Sequence, residues 1–146
     1  LSTDDRTWTI EQGQPGGVRS EPTVLIADDD DDTRRMFRIL LESKGYRVVE
    51  AGDGEEALKI TVRENPGLLL LDLGLPRLNG LHVIRALRNK LKIIATPVVV
   101  ITGNDESFQA VVDAGCDDYL LKPVDFGRLE SLLDYYVPLQ TQINAA

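Results

Sequence analysis

Five short apolar runs, each followed by a segment of helical periodicity, constrain this chain more than any other feature. The runs occupy positions 23–27, 46–50, 68–71, 97–101 and 118–121. Three are apolar throughout, as strands covered on both faces must be. The intervening segments repeat apolar residues at helical spacing. Met36, Phe37, Leu40 and Leu41 share one face, and Ala57, Leu58, Thr61 and Val62 another. Leu81, Ile84, Leu87 and Leu91 make a third set, Phe108, Val111 and Val112 a fourth, and Phe126, Leu129, Leu132, Leu133 and Tyr136 a fifth. Gly45 reads as a stop after the first helix, and Asn65-Pro66-Gly67 as a break after the second.

A fivefold βα alternation implies an α/β fold with helices on both faces of an open parallel sheet. Right-handed crossovers leave few topologies; the doubly wound, flavodoxin-like strand order 2-1-3-4-5 is the expected one. Ligands of such sheets bind beyond the carboxyl ends of the strands, near the switch point between strands 1 and 3.

The alternation covers 23–137 of the 146 residues, enough for one core. Positions 1–22 carry Gly13, Pro15, Gly16, Gly17 and Pro22 and little apolar content beyond Trp8 and Ile10. They read as a leader or linker, with Thr7-Trp8-Thr9-Ile10 as a candidate strand fragment. Positions 138–146 read as a C-terminal tail. A chain starting at Leu1 is expected to be trimmed or cut from something longer. The net charge of −8 argues against binding a nucleic-acid backbone and favours a cation or a basic partner. One cysteine, Cys116, excludes an internal disulfide. No apolar run is long enough to span a membrane and no signal peptide is visible, so a cytoplasmic location is expected.

Chemistry is concentrated where the strands end. Strand 1 runs into Asp28-Asp29, at the head of five consecutive aspartates, and strand 3 into Asp72. Strand 4 ends at Thr102, and strand 5 leads to Lys122-Pro123. A lone strand-end Asp is usually a turn residue or helix cap, and a lone Thr or Lys is unremarkable. Together on one edge they describe a site. Three carboxylates repel unless a hard cation neutralises them, which suits Mg²⁺ or, as a substitute, Mn²⁺. Lys122 and Thr102 are then placed to hold phosphoryl oxygens, and Asp72 to act as a nucleophile. Asp30, Asp31 and Asp32 read as the charged start and cap of the first helix.

From Thr23 to about Val137 the chain resembles the receiver domain of two-component response regulators, of the chemotaxis-receiver kind. The matching pieces are Val24-Leu25-Ile26-Ala27-Asp28-Asp29-Asp30; Leu71-Asp72-Leu73-Gly74-Leu75-Pro76 with Asn79-Gly80; Val100-Ile101-Thr102-Gly103; and Gly115-Cys116-Asp117-Asp118-Tyr119-Leu120-Leu121-Lys122-Pro123. The resemblance implies a phosphorylation-dependent signalling switch in a phosphorelay. Asp72 would accept the phosphoryl group from a sensor histidine kinase or a phosphotransfer domain. Asp29, Asp72 and the backbone carbonyl of Gly74 would bind Mg²⁺ directly, Asp28 through water. Lys122 would pair with Asp72 and then with the phosphoryl group, across a cis Lys122-Pro123 bond. Thr102 and Tyr119 would move together and alter the face made by helix 4, strand 5 and helix 5, which an output domain or protein reads. Such a receiver catalyses only its own phosphorylation and dephosphorylation. It could stand alone, belong to a multidomain regulator, or be excised from a hybrid kinase, and it could pair as a homodimer.

Two alternatives share a strand-end carboxylate or this topology. A phosphatase of the haloacid dehalogenase type wants a second Asp two residues after the nucleophile, where this chain has Gly74. A flavin binder of the flavodoxin type needs a phosphate loop after strand 1, where five aspartates would repel the ligand. Gly74 and Gly103 depart from the commoner receiver pattern and open the site, so faster loss of the phosphoryl group is expected. Asn104 is a candidate for orienting water or capping a loop. His82, with Arg85 and Asn89, reads as a solvated stripe. Cys116 reads as packing, and Arg85, Arg88, Lys90 and Lys92 as a small basic patch.

Overall fold

The computed structural model describes residues 21–103 and 108–139. The leader through position 20, with Trp8 and the 7–10 alternation, lies outside the described residues, as do Asn104 and the tail from position 140. The described chain alternates strand and helix five times: β1 (Thr23–Ala27), α1 (Asp31–Lys44), β2 (Arg47–Ala51), α2 (Gly54–Glu64), β3 (Leu68–Asp72), α3 (Gly80–Arg85), β4 (Val98–Thr102), α4 (Phe108–Ala114), β5 (Asp118–Leu121) and α5 (Phe126–Tyr136). All pairings are parallel, in the order β2-β1-β3-β4-β5, the expected 2-1-3-4-5.

Strand periodicity divides the core in two. Val24, Ile26, Leu68, Leu70, Val99, Ile101 and Leu120 point to one face, against Phe37 and Leu41 of α1 and Leu129 and Leu133 of α5. Leu25, Ala27, Leu69, Leu71, Val98 and Val100 point to the other, against Ile60 of α2, Ile84 of α3, Leu87 just beyond it and Val111 of α4. Sandwiched strands need this unbroken apolarity, since either face of each is core.

Short polar side chains set the start of four helices. Asp30, Asp53, Asn79 and Asp125 accept hydrogen bonds from the first-turn N–H groups of α1, α2, α3 and α5. Asp31 and Asp32 fill the first turn of α1, next to its positive dipole end. Gly45 ends α1 at φ +109°, a left-handed conformation that suits glycine, and its N–H returns to the Glu42 and Leu41 carbonyls.

The boundaries of four elements differ from those the sequence pattern predicts. β2 starts at Arg47 because the Tyr46 N–H donates to the Leu41 carbonyl, finishing the α1 cap. β3 and β4 each run one residue further, pairing Asp72 with Ile101 and carrying Thr102 into the ladder opposite Leu121. α3 lasts only six residues before loosening into a π-helical turn over Ala86–Lys90.

Candidate functional site

The sheet's register carries β1, β3 and β4 to a common edge. The Asp28 N–H is still in the ladder, donating to the Ala51 carbonyl at 3.0 Å. Its carboxylate is buried and accepts from the Asp30 N–H at 2.8 Å. Asp29 is exposed beside it. Asp72 is buried at the end of β3, its Oδ1 accepting from the Gly74 N–H at 3.1 Å. One oxygen from each of Asp28, Asp29 and Asp72 lies within 4.8 Å of the others. Lys122 approaches from β5, with Nζ 3.6 Å from Asp72 Oδ1. The Lys122-Pro123 peptide is cis. Thr102 is buried on the neighbouring strand end, and its carbonyl accepts from the Lys122 N–H at 2.9 Å.

The electrostatics follow from this crowding. The Asp28 carboxyl is held above the ordinary carboxylate range, first by burial and then by the charges of Asp72 and Asp29; the Asp30 N–H and Lys122 pull the other way. One half-exposed ammonium faces three carboxylates. Oxygens bound to one Mg²⁺ at about 2.1 Å stand at most about 4.2 Å apart, so a cluster within 4.8 Å fits two direct ligands and a third acting through water. The donors are all hard oxygens, as this ion requires.

Tyr119 is half-buried on β5. The Phe108 ring packs at 4.4 Å between centroids, and the Arg128 guanidinium stands 5.6 Å over the tyrosine ring. Arg128 also donates to the Tyr119 carbonyl and to Asp118, so α4, β5 and α5 meet around this one ring. Exposed His82, Arg85 and Asn89 form the solvated stripe expected of them. Cys116 packs against the second core layer, with its thiol pushed up by burial and by Asp117 and Asp118.

Two arginines carry roles the sequence did not reveal. Arg34 of α1 donates to the Asp28 carbonyl at 2.7 Å and to Glu50 at 2.9 Å, fixing the backbone that carries the aspartate pair. In sequence it is one polar helical position among many. Arg88 leaves the expected basic patch: it turns inward to the carbonyls of Gly115 and Ile93 and to the Asp117 carboxylate.

Comparison with known proteins decides the family. The model of the response regulator receiver domain matches residues 24–134. The chain belongs to that family. It is 39% identical over 102 residues to the alkaline phosphatase synthesis regulator PhoP of Bacillus subtilis, covering 68% of this chain and 42% of PhoP. It is 41% identical over 112 residues to the KDP operon regulator KdpE of Escherichia coli, covering 75% of this chain and 48% of KdpE. The chain thus spans less than half the length of either regulator. Among solved structures it resembles the receiver domain of a Pseudomonas aeruginosa sensor histidine kinase, which holds a magnesium ion in its active site cleft. That likeness has a TM-score of 0.72 at 27% identity and covers 80% of this chain and 97% of the other. Among the described residues no helix is long and apolar enough to cross a membrane.

Proposed function

We propose that this receiver domain, residues 23–137, is a switch phosphorylated on Asp72 with Mg²⁺ at Asp28, Asp29, Asp72 and the Gly74 carbonyl. The observation that carries this reading is the meeting of three carboxylates within 4.8 Å, with a single lysine 3.6 Å from Asp72. The magnesium ion in the P. aeruginosa relative's cleft supports the choice of metal; Mn²⁺ offers the same hard-oxygen chemistry.

Asp72 attacks the phosphorus of a phosphohistidine on a sensor kinase or phosphotransfer domain. An O–P bond forms as the N–P bond breaks, and the electron pair returns to the imidazole nitrogen. Mg²⁺ held by these carboxylates would lower the repulsion between the incoming phosphoryl oxygens and the carboxylates. Asp28 and Asp29, steadied by Arg34 through the Asp28 carbonyl, form the acidic wall. Lys122 transfers its charge from Asp72 to a phosphoryl oxygen, and Thr102 donates its hydroxyl to another. Autodephosphorylation follows by attack of water on phosphorus, which breaks the O–P bond, regenerates Asp72 and releases inorganic phosphate. Thr102 and Tyr119 relay the new charge to α4, β5 and α5, the face read by an output domain, a partner protein or a second copy of the chain. The setting is cytoplasmic.

The test is incubation with a small phosphodonor, with and without Mg²⁺. We expect a metal-dependent, hydroxylamine-labile label that disappears in Asp72→Asn. Label on another residue, or labelling indifferent to metal, overturns the reading.

A further inference from the structure

We infer that Gly54 is a positioning residue for the metal-binding loop: its missing side chain is the seat on which the segment between Asp72 and α3 rests. The inference builds on the Mg²⁺ site proposed above.

Gly54 opens α2, where its backbone is ordinarily helical and any residue would fit by conformation. Alanine would favour the helix by up to about 1 kcal/mol. The need for glycine is spatial. A Cβ at position 54 would lie 1.8 Å from the Leu78 carbonyl oxygen and 2.7 Å from both the Leu78 carbonyl carbon and Cβ. Two of those three atoms are backbone and cannot swing aside like a side-chain tip.

The same loop has little slack to absorb a displacement. The Leu78 N–H donates to the Pro76 carbonyl at 2.7 Å, and the Gly54 N–H reaches that carbonyl at 3.4 Å. Arg77 pairs with Asp53 at 3.3 Å, one residue before Gly54. At the inner end the Gly80 N–H donates to the Leu73 carbonyl at 3.0 Å, and a Cβ on Gly80 would lie 2.8 Å from the Leu73 Cα and 2.9 Å from the Asp72 carbonyl oxygen. The loop is therefore held between α2 and the end of β3. A side chain at 54 must push Leu78 by about 1 Å or more, and the movement passes to Gly74 and Asp72. Mg²⁺ tolerates little departure from octahedral geometry, and a misplacement of about 1 Å in a reacting constellation costs up to about a hundredfold.

The experiment is calorimetric titration of Mg²⁺ into the full chain, alongside thermal unfolding in EDTA. Gly54→Ala is expected to weaken Mg²⁺ binding by about tenfold or more. Gly67→Ala serves as the comparison: its Cβ would lie 3.0 Å from Val137 Cγ2, away from the site, so affinity should stay within about twofold whatever happens to stability. Leu78→Ala keeps the carbonyl and Cβ that rest on Gly54 but removes the side chain that packs the same loop against the second core layer, without a clash; it should weaken Mg²⁺ about threefold, and it carries the test if Gly54→Ala does not fold. Wild-type affinity in either position-54 or position-78 variant overturns the inference, as does an equal loss in Gly67→Ala. Wild-type protein that does not bind Mg²⁺ overturns the site reading beneath it, a result distinct from all of these.

Discussion

The two ends of the parallel sheet are built on opposite rules. At the amino ends of the strands, charges and polar atoms are matched. Lys44 pairs with Glu130, and Arg47 donates to Glu64 and to Thr23. The Tyr46 hydroxyl, buried and pushed up to about 12 chiefly by that burial with Asp134 adding, donates to the Val137 carbonyl at 2.9 Å. At the carboxyl ends, three carboxylates share one lysine. The first end holds the domain closed; the second crowds like charges, which a cation at the proposed site would relieve. Stability and ligand binding should therefore separate by position along the strands.

The largest effect expected from this contrast is at Asp29. Asp29→Ala removes a direct ligand of the proposed site, so Mg²⁺ affinity should fall beyond the ~100-fold that loss of an outer partner can cost, with unfolding in EDTA little changed. Calorimetry and thermal melts check both halves; a drop in metal-free stability of the same order would erase the distinction. Tyr46→Phe is the reverse case. It leaves the Val137 carbonyl without its donor and should cost about 1–3 kcal/mol of stability, read by urea unfolding, while Mg²⁺ affinity stays at the wild-type value.

The same contrast explains what the sequence made legible. The strands were readable because burial on both faces leaves a run such as Leu68-Leu69-Leu70-Leu71 little alternative. The residues brought together at the site were readable because parallel register delivers strand ends to one edge. The helical stripes were less informative. Val62 is 58% exposed and Phe126 45% exposed although both fit the spacing, because each helix covers the sheet with a narrower arc than its apolar stripe. Val83 and Ile60, outside the expected sets, are buried in their place. The π-helical turn after α3 had no sequence signal: Arg88 gathers the carbonyls of Ile93 and Gly115 from two other segments. Tertiary partners set that irregularity, as they set the turn of Arg34 toward Asp28.

A smaller effect tests the crowding of like charges directly. Asp28 binds its proton more tightly folded than unfolded, so its penalty is absent below the unfolded value near about 4 and complete above the raised folded value. Asp28→Asn keeps an acceptor for the Asp30 N–H and should melt several degrees higher than wild type in EDTA at pH 7. That gain should shrink as pH falls toward 4, and saturating Mg²⁺ should reverse it. A gain that does not change with pH would place its origin outside the carboxylate.

The smallest effect concerns the lifetime of the switch, where the open end of the sheet meets water. A Cβ on Gly74 would lie 3.8 Å from Asp72 Oδ1, an ordinary contact, and one on Gly103 would meet nothing within 4 Å. Gly74 thus differs from Gly54: space at 54 is already taken by backbone, whereas space at 74 is open beside the Asp72 carboxylate, the proposed nucleophile. A side chain there can be accommodated, and it would occupy the approach of the hydrolytic water. Gly74→Met should accordingly lengthen the half-life of the Asp72 phosphoryl group severalfold, measured by loss of acid-stable label after the donor is removed, with Mg²⁺ affinity close to wild type because the variant retains the backbone carbonyl. An unchanged half-life would mean that water reaches the phosphorus from another side, and that the openness at Gly74 does not set the rate.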